Sequence, residues 1–230
     1  DEGATVTQVS GSYDDAVAAA AQMAQTTGGL LVQDTAWEGY TEIPGWIVEG
    51  YATLFVEADE QLTAMGLPAP DLVLVPCGVG SLLQGALAHY RGDVALHGTA
   101  VVSVEPDAAA CVAPSLAAGH PVTVETRETV MTGLNCGTPS TTAWPYMRSG
   151  LDAAIAVTDP ADIQAAHDLA GLGVPAGPCG ASGLAATRVA LIGPDAQARR
   201  AHLGIDARSI VLLVITEGSA ANPVPALEVA

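Results

Sequence analysis

The chain has 230 residues, with 25 Asp and Glu against seven Arg and no lysine, for a formal net charge of −18. That balance excludes a nucleic-acid groove or an anionic membrane surface as partner, since both need clustered cations. It also excludes any chemistry that needs a lysine amine from these residues. Half of the residues are hydrophobic, but only three Trp, five Tyr and one Phe are present. The core must therefore be built from Ala, Val and Leu.

The predicted elements alternate in type along the chain. Residues 4–9 read as a strand. Residues 12–26 read as a helix with Ser12 as N-cap and Asp14 and Asp15 in the first turn, where the helix dipole favours acids. Gly28 and Gly29 end it. Residues 30–33 read as a short strand, 34–42 as a polar loop holding Trp37 and Tyr40, and 44–65 as a long amphipathic helix. A buried strand follows at 72–75, then a glycine-rich turn and a helix to about residue 90.

Beyond this point come a strand at 99–104 and a helix at 107–118. A Gly/Pro/Thr loop occupies 128–139, a strand 154–157 and a helix 160–169. Helices at 180–192 and 196–203 precede a last strand at 209–215. Such alternation predicts an α/β fold of three layers, a mostly parallel sheet with helices on both faces. The opening strand, helix and strand read as the tail of another domain, dividing the chain into a small-domain remnant at 1–35 and a large domain at 36–230.

Apolar runs of about ten residues are too short to span a bilayer. The chain begins Asp-Glu-Gly without a secretory signal, so a processed or truncated start and a cytoplasmic location are expected. Cys77, Cys111, Cys136 and Cys179 have neither metal-site nor disulfide-scaffold spacing, and the five histidines lack ligand spacing. No metal site is expected.

The strongest physical signal is the turn after Val75. Cys77-Gly78-Val79-Gly80-Ser81 opens a helix, so converging N–H groups and the helix N-terminus make an anion nest suited to phosphate. A plain tight turn is the competing reading, because a Gly-x-Gly spacing is weak evidence. Asp34, in the loop after residues 30–33, is a candidate general base, against a surface or capping role. Thr216 and Glu217 after the last strand, and Glu105 after the strand at 99–104, complete four polar loops. Open α/β sheets place ligands at such strand ends.

The block Gln33-Asp34-Thr35-Ala36-Trp37-Glu38-Gly39-Tyr40, followed by Ile43-Pro44 and Glu49-Gly50-Tyr51, closely resembles the diaminopropionate ammonia-lyase family. These are pyridoxal 5′-phosphate enzymes of fold type II. The resemblance continues through Tyr13-Asp14-Asp15, Gly78-Val79-Gly80-Ser81, Val104-Glu105-Pro106-Asp107, Met131-Thr132-Gly133-Leu134-Asn135-Cys136-Gly137, Gly180-Ala181-Ser182-Gly183 and Thr216-Glu217-Gly218. It implies elimination of ammonia from 2,3-diaminopropionate, giving pyruvate and a second ammonia. It assigns the cofactor phosphate to Gly78, Val79, Gly80 and Ser81, the pyridine nitrogen to Thr216 and α-proton chemistry to Asp34. It also implies a homodimer, and a disulfide between Cys111 and Cys136 becomes possible.

The chain departs from that pattern in two ways. The family's cofactor lysine and a second acid/base Asp precede the segment that begins here. The family also usually carries an acid where Pro178 or Cys179 stands. A non-catalytic relic that binds phosphate or an amino acid, and a serine/threonine dehydratase-like lyase, are the alternative readings.

Overall fold

The computed structural model describes residues 3–93, 96 and 98–227. Its sheet contains β1 (Leu72–Pro76), β2 (Ala100–Pro106), β3 (Ala153–Val157) and β4 (Val211–Leu213), in the order β3-β2-β1-β4. All three pairings are parallel, with Leu72 opposite Ala100 on one side and Val211 on the other. The helices are α1 (Tyr13–Thr27), α2 (Glu42–Ala64), α3 (Ser81–Gly92), α4 (Val112–Ala118), α5 (Trp144–Gly150), α6 (Asp159–Gly171), α7 (Pro178–Leu191) and α8 (Ala196–Leu203).

Successive strand side chains point to opposite faces, and here both faces are covered. Leu72, Leu74, Val102 and Val104 join Ala165 and Leu169 of α6, the alanines of α7 and Leu203 of α8. Val73, Val75 and Val101 join Phe55 of α2, Leu83 and Leu87 of α3, Val112 of α4 and Met147 of α5. β1 and β2 are fully buried along their length, which explains their unbroken apolar sequence. The predicted three-layer α/β fold is the one observed.

Several predicted details differ. Residues 4–9 and 30–33 form no strand; the first segment is exposed throughout, and in the second Leu30 and Val32 are exposed. Alternating side chains make a strand only where a neighbouring strand supplies hydrogen bonds. The helix expected at 107–118 is split into a 3-10 turn at Asp107–Ala109 and α4. The buried Glu105 carboxylate accepts the N–H groups of Cys111 and Val112 at 2.8 and 2.9 Å and caps a new helix there. The last strand is trimmed to three residues, and α5 lies in a segment where no helix was expected. Ser12 does cap α1, in a reciprocal box with Asp15.

Ion pairing does little to relieve the acidic charge. The pairs among the described residues include Arg91–Asp152, Arg188–Asp168 and His89–Asp59. Most carboxylates therefore repel one another through solvent. Raising salt to about 1 M, where the screening length is about 3 Å, is expected to raise the melting temperature by several degrees. A melting temperature that falls or stays level with salt, measured calorimetrically, contradicts this account.

Candidate active site

The chain leaves β1 toward β2 on one side, and later returns to place β4 on the other side of β1. The loops after β1 and β4 thus diverge, and this reversal is where open α/β sheets leave a crevice. A cavity of about 300 Å³ lies there. Asp34, Gly78, Val79, Gly80, Ser81 and Thr216 all line it. Six residues picked from three separate segments of the sequence are thus brought together.

The glycine turn is shaped for close approach. Gly80 has φ 100° and is the N-cap of α3, a left-handed conformation that side chains disfavour. A Cβ on Gly80 would also collide with the Met147 side chain, and one on Gly78 would lie 3.0 Å from Cys136 Sγ and 3.2 Å from the Gly133 carbonyl. The first N–H groups of α3 have no acceptor within the helix. Bare backbone, a helix N-terminus and a cavity of this size fit a phosphate-bearing cofactor.

The Asp34 loop is fastened to this turn from two directions. The Ser81 hydroxyl donates to the Asp34 carbonyl at 3.0 Å. The Ala36 N–H donates to Ser140 Oγ at 3.0 Å, and Thr141 donates to the Ala36 carbonyl through both its N–H and its hydroxyl. Ser140 in turn donates its N–H to the Val79 carbonyl at 2.8 Å. Residues 140 and 141 therefore lock the spacing between Asp34 and the glycine turn. The sequence carried no signal for this, because polar loop residues of that kind are common.

The cavity has further walls. Tyr13, Tyr51, Cys136, Cys179 and Glu217 line it as well. Burial, with Asp34 nearby, lifts the Tyr51 phenol above its usual range. Burial pushes both the Cys136 and Cys179 thiols up to about 12. Neither sulfur is a thiolate near neutrality, so neither serves as a nucleophile. Glu217 Oε1 accepts the Cys179 N–H at 2.8 Å and the Asn222 amide at 3.0 Å. That places a carboxylate at the N-terminus of α7, beside Thr216, where the helix dipole favours it. Glu105 does not join the cavity and serves the helix cap described above.

Cys111 and Cys136 are both buried free thiols, as are Cys77 and Cys179. Among the described residues no three His, Cys, Asp or Glu side chains converge as a metal site would require. No described helix is long and apolar enough to cross a membrane.

Fold and site together define an α/β protein with a cavity fit for a phosphate-bearing cofactor at the switch point of a parallel sheet. The chain belongs to the pyridoxal-phosphate dependent enzymes, whose family description matches residues 1–216. It is 37% identical over 216 residues to the diaminopropionate ammonia-lyase of Escherichia coli K12, covering 90% of this chain and 53% of that protein. A biosynthetic L-threonine dehydratase of Corynebacterium glutamicum is 37% identical over 122 residues, 53% of this chain and 26% of that enzyme. The crystal structure of the E. coli lyase with its aminoacrylate-PLP azomethine reaction intermediate superposes with TM-score 0.81 at 36% identity, covering 91% of this chain and 55% of that one. The fold is therefore that of the fold type II group, and the chain spans about half the length of the curated lyases it matches.

Proposed function

We propose that this chain forms the cofactor-phosphate and Asp34 side of a diaminopropionate ammonia-lyase site. The observation that carries this reading is the convergence of Asp34, the glycine turn and Thr216 on one cavity. In the reaction, 2,3-diaminopropionate loses its α-proton and its β-ammonia, and hydrolysis then yields pyruvate and a second ammonia. Pyridoxal phosphate, when bound, supplies the electron sink for the α-carbanion.

The chain's own residues have distinct tasks. N–H groups of the turn at Gly78, Val79, Gly80 and Ser81 would hold the phosphate. The Thr216 hydroxyl would serve the pyridine nitrogen. The Asp34 carboxylate moves the proton at the substrate's α-carbon, and its fastening through Ser81, Ser140 and Thr141 keeps it at a fixed distance from the cofactor. The sequence holds no lysine, so the amine that anchors the cofactor belongs to polypeptide outside these residues. On this reading, residues 1–35 belong to a smaller domain completed by that polypeptide, and the working form is a cytoplasmic homodimer.

The test is turnover by a polypeptide that joins this chain to a lysine-bearing portion, with pyruvate measured from diaminopropionate, serine and threonine. Diaminopropionate is expected to be the preferred substrate. Asp34→Asn should cut its turnover by about a hundredfold or more, as loss of a general base does. Faster turnover of threonine would favour a dehydratase, and no turnover at all would favour a binding relic. Intact turnover in Asp34→Asn, for both substrate enantiomers, would remove Asp34 from the chemistry.

A further inference from the structure

The Asp34 loop and α2, which follows it, lie along α3, and three positions of α3 spaced by four residues meet them in turn. Such spacing puts side chains on one helix face. At the first, the Ser81 hydroxyl holds the Asp34 carbonyl. At the second, Gly85 lets α2 come close: a Cβ there would lie 3.0 Å from Tyr51 Cβ and 3.5 Å from the Val48 carbonyl. At the third, His89 Nε2 lies 2.7 Å from Asp59 Oδ2, and both side chains are mostly buried. Asp59 stands two helical turns beyond Tyr51, about 12 Å along α2.

This third contact is made of polar groups in an apolar seam. The imidazole stacks on Phe55 and meets Tyr90 edge-on, and both of those side chains are fully buried. Asp59 Oδ1 is buried and makes no hydrogen bond. Of the described residues, His89 is the one that hydrogen-bonds the Asp59 carboxylate. Burial, with Asp59 beside it, lifts the Tyr90 phenol above its usual range. A carboxylate stripped of its partner in such a place carries a desolvation cost, and it regains water when α2 swings away from α3. Tyr51 lines the active cavity from the same helix.

We infer that His89 is a positioning residue for the cavity: with Asp59 it fastens α2 to α3, and so keeps Tyr51 in the cavity wall near Asp34. Its bearing on catalysis rests on the lyase reading given above, while the fastening of the two helices does not. His89 itself lies outside the cavity lining and touches no reacting atom. It acts through the register of two helices, one opening at the glycine turn and the other carrying Tyr51.

The test reads the wall through tyrosine nitration of the 230-residue chain by tetranitromethane at about pH 8, followed residue by residue with mass spectrometry. The reagent attacks phenolates that solvent can reach. Tyr51 is half-buried and its phenol is held above the usual range, so it should react slowly. His89→Ala should speed its nitration about tenfold, the effect on an opening equilibrium of one lost hydrogen bond to a charged group. His89→Gln, whose amide can donate in place of Nε2, should restore the slow rate. Tyr13 lines the same cavity from α1, with its phenol pushed up to about 12, and should keep its original rate throughout. If His89→Ala fails to fold, Asp59→Ala removes the same contact and leaves the imidazole in place. Three results would overturn the inference. Equal acceleration of Tyr13 and Tyr51 would mean a loosened fold. Acceleration confined to Tyr90 would mean that water fills the vacated space while α2 stays put. An unchanged rate at Tyr51, or a His89→Gln as fast as His89→Ala, would mean that the hydrogen bond fastens nothing. Because nitration needs neither cofactor nor turnover, failure of the lyase reading and failure of this one are told apart.

Discussion

Replacing Asp162 with asparagine is expected to stabilise the protein at pH 7 by about 4 kcal/mol and to leave its stability nearly unchanged at about pH 4. Asp162 stands in the first turn of α6, is fully buried, and neither of its side-chain oxygens has a hydrogen-bond partner. Burial, reinforced by Asp159 and Glu217, pushes its carboxyl from 3.8 to about 8. Below pH 4 the group carries its proton in both the folded and the unfolded chain, and ionisation costs nothing. Between about pH 4 and pH 8 the unfolded chain releases the proton while the native protein keeps it, so each unit of rising pH removes about 1.4 kcal/mol of stability. Asparagine removes that slope.

The measurement is denaturant unfolding of both proteins from pH 4 to pH 8. Parallel pH profiles would show that Asp162 is ionised in the native protein. Glu105 provides an internal comparison. Burial lifts it only to about 7, because the N–H groups of Val112 and Cys111 stabilise the charged form. Glu105→Gln should therefore flatten the profile less than Asp162→Asn.

Gly80→Ala is expected to destabilise the protein by about 2–5 kcal/mol and to weaken pyridoxal phosphate binding. The left-handed backbone costs a side chain about 1–2 kcal/mol, and overpacking a filled site costs about 1–3 kcal/mol. The atom that obstructs the new methyl belongs to the end of Met147, a flexible side chain in the core. A double variant, Gly80→Ala with Met147→Ala, should recover the steric part but not the backbone part. Recovery is judged against Met147→Ala alone by urea unfolding, and cofactor affinity by equilibrium dialysis. Undiminished affinity in Gly80→Ala would sink the assignment of this turn to the phosphate.

Much of the architecture was legible because it rests on local rules. Val73 and Val75 stand between Leu72 and Leu74 in an unbroken apolar run, the signature of a strand buried on both faces. Ser12 with Asp15, and Gly28 with its left-handed conformation, marked the ends of α1. Segments that depend on remote partners were not legible. Residues 30–33 have strand-like side chains but no strand beside them. Glu105 looked like a strand-end ligand group, and only the folded chain shows it turned inward to cap α4.

The candidate site divides the same way. The glycine turn and Thr216 were identifiable one at a time, from residue type and position relative to strands, and Asp34 from residue type, after an expected strand that does not form. Their meeting at one cavity depends on β1 lying between β2 and β4, an order no local pattern encodes. Tyr13, Tyr51, Ser140 and Cys179 gave no separate signal of a place at or beside the cavity, since each is an ordinary residue of a helix or loop until the sheet brings its segment there.

By itself, then, the sequence determined the layer architecture, the glycine-rich turn after β1 and the absence of a lysine amine. Each follows from composition or from residues close together in the chain. Tertiary structure alone decided which polar loops share a cavity and which carboxyls are buried. Those properties arise from contacts across 47 to 104 residues of sequence, such as Ser81 to Asp34 and Ser140 to Ala36, and burial and strand order exist only once the chain is folded.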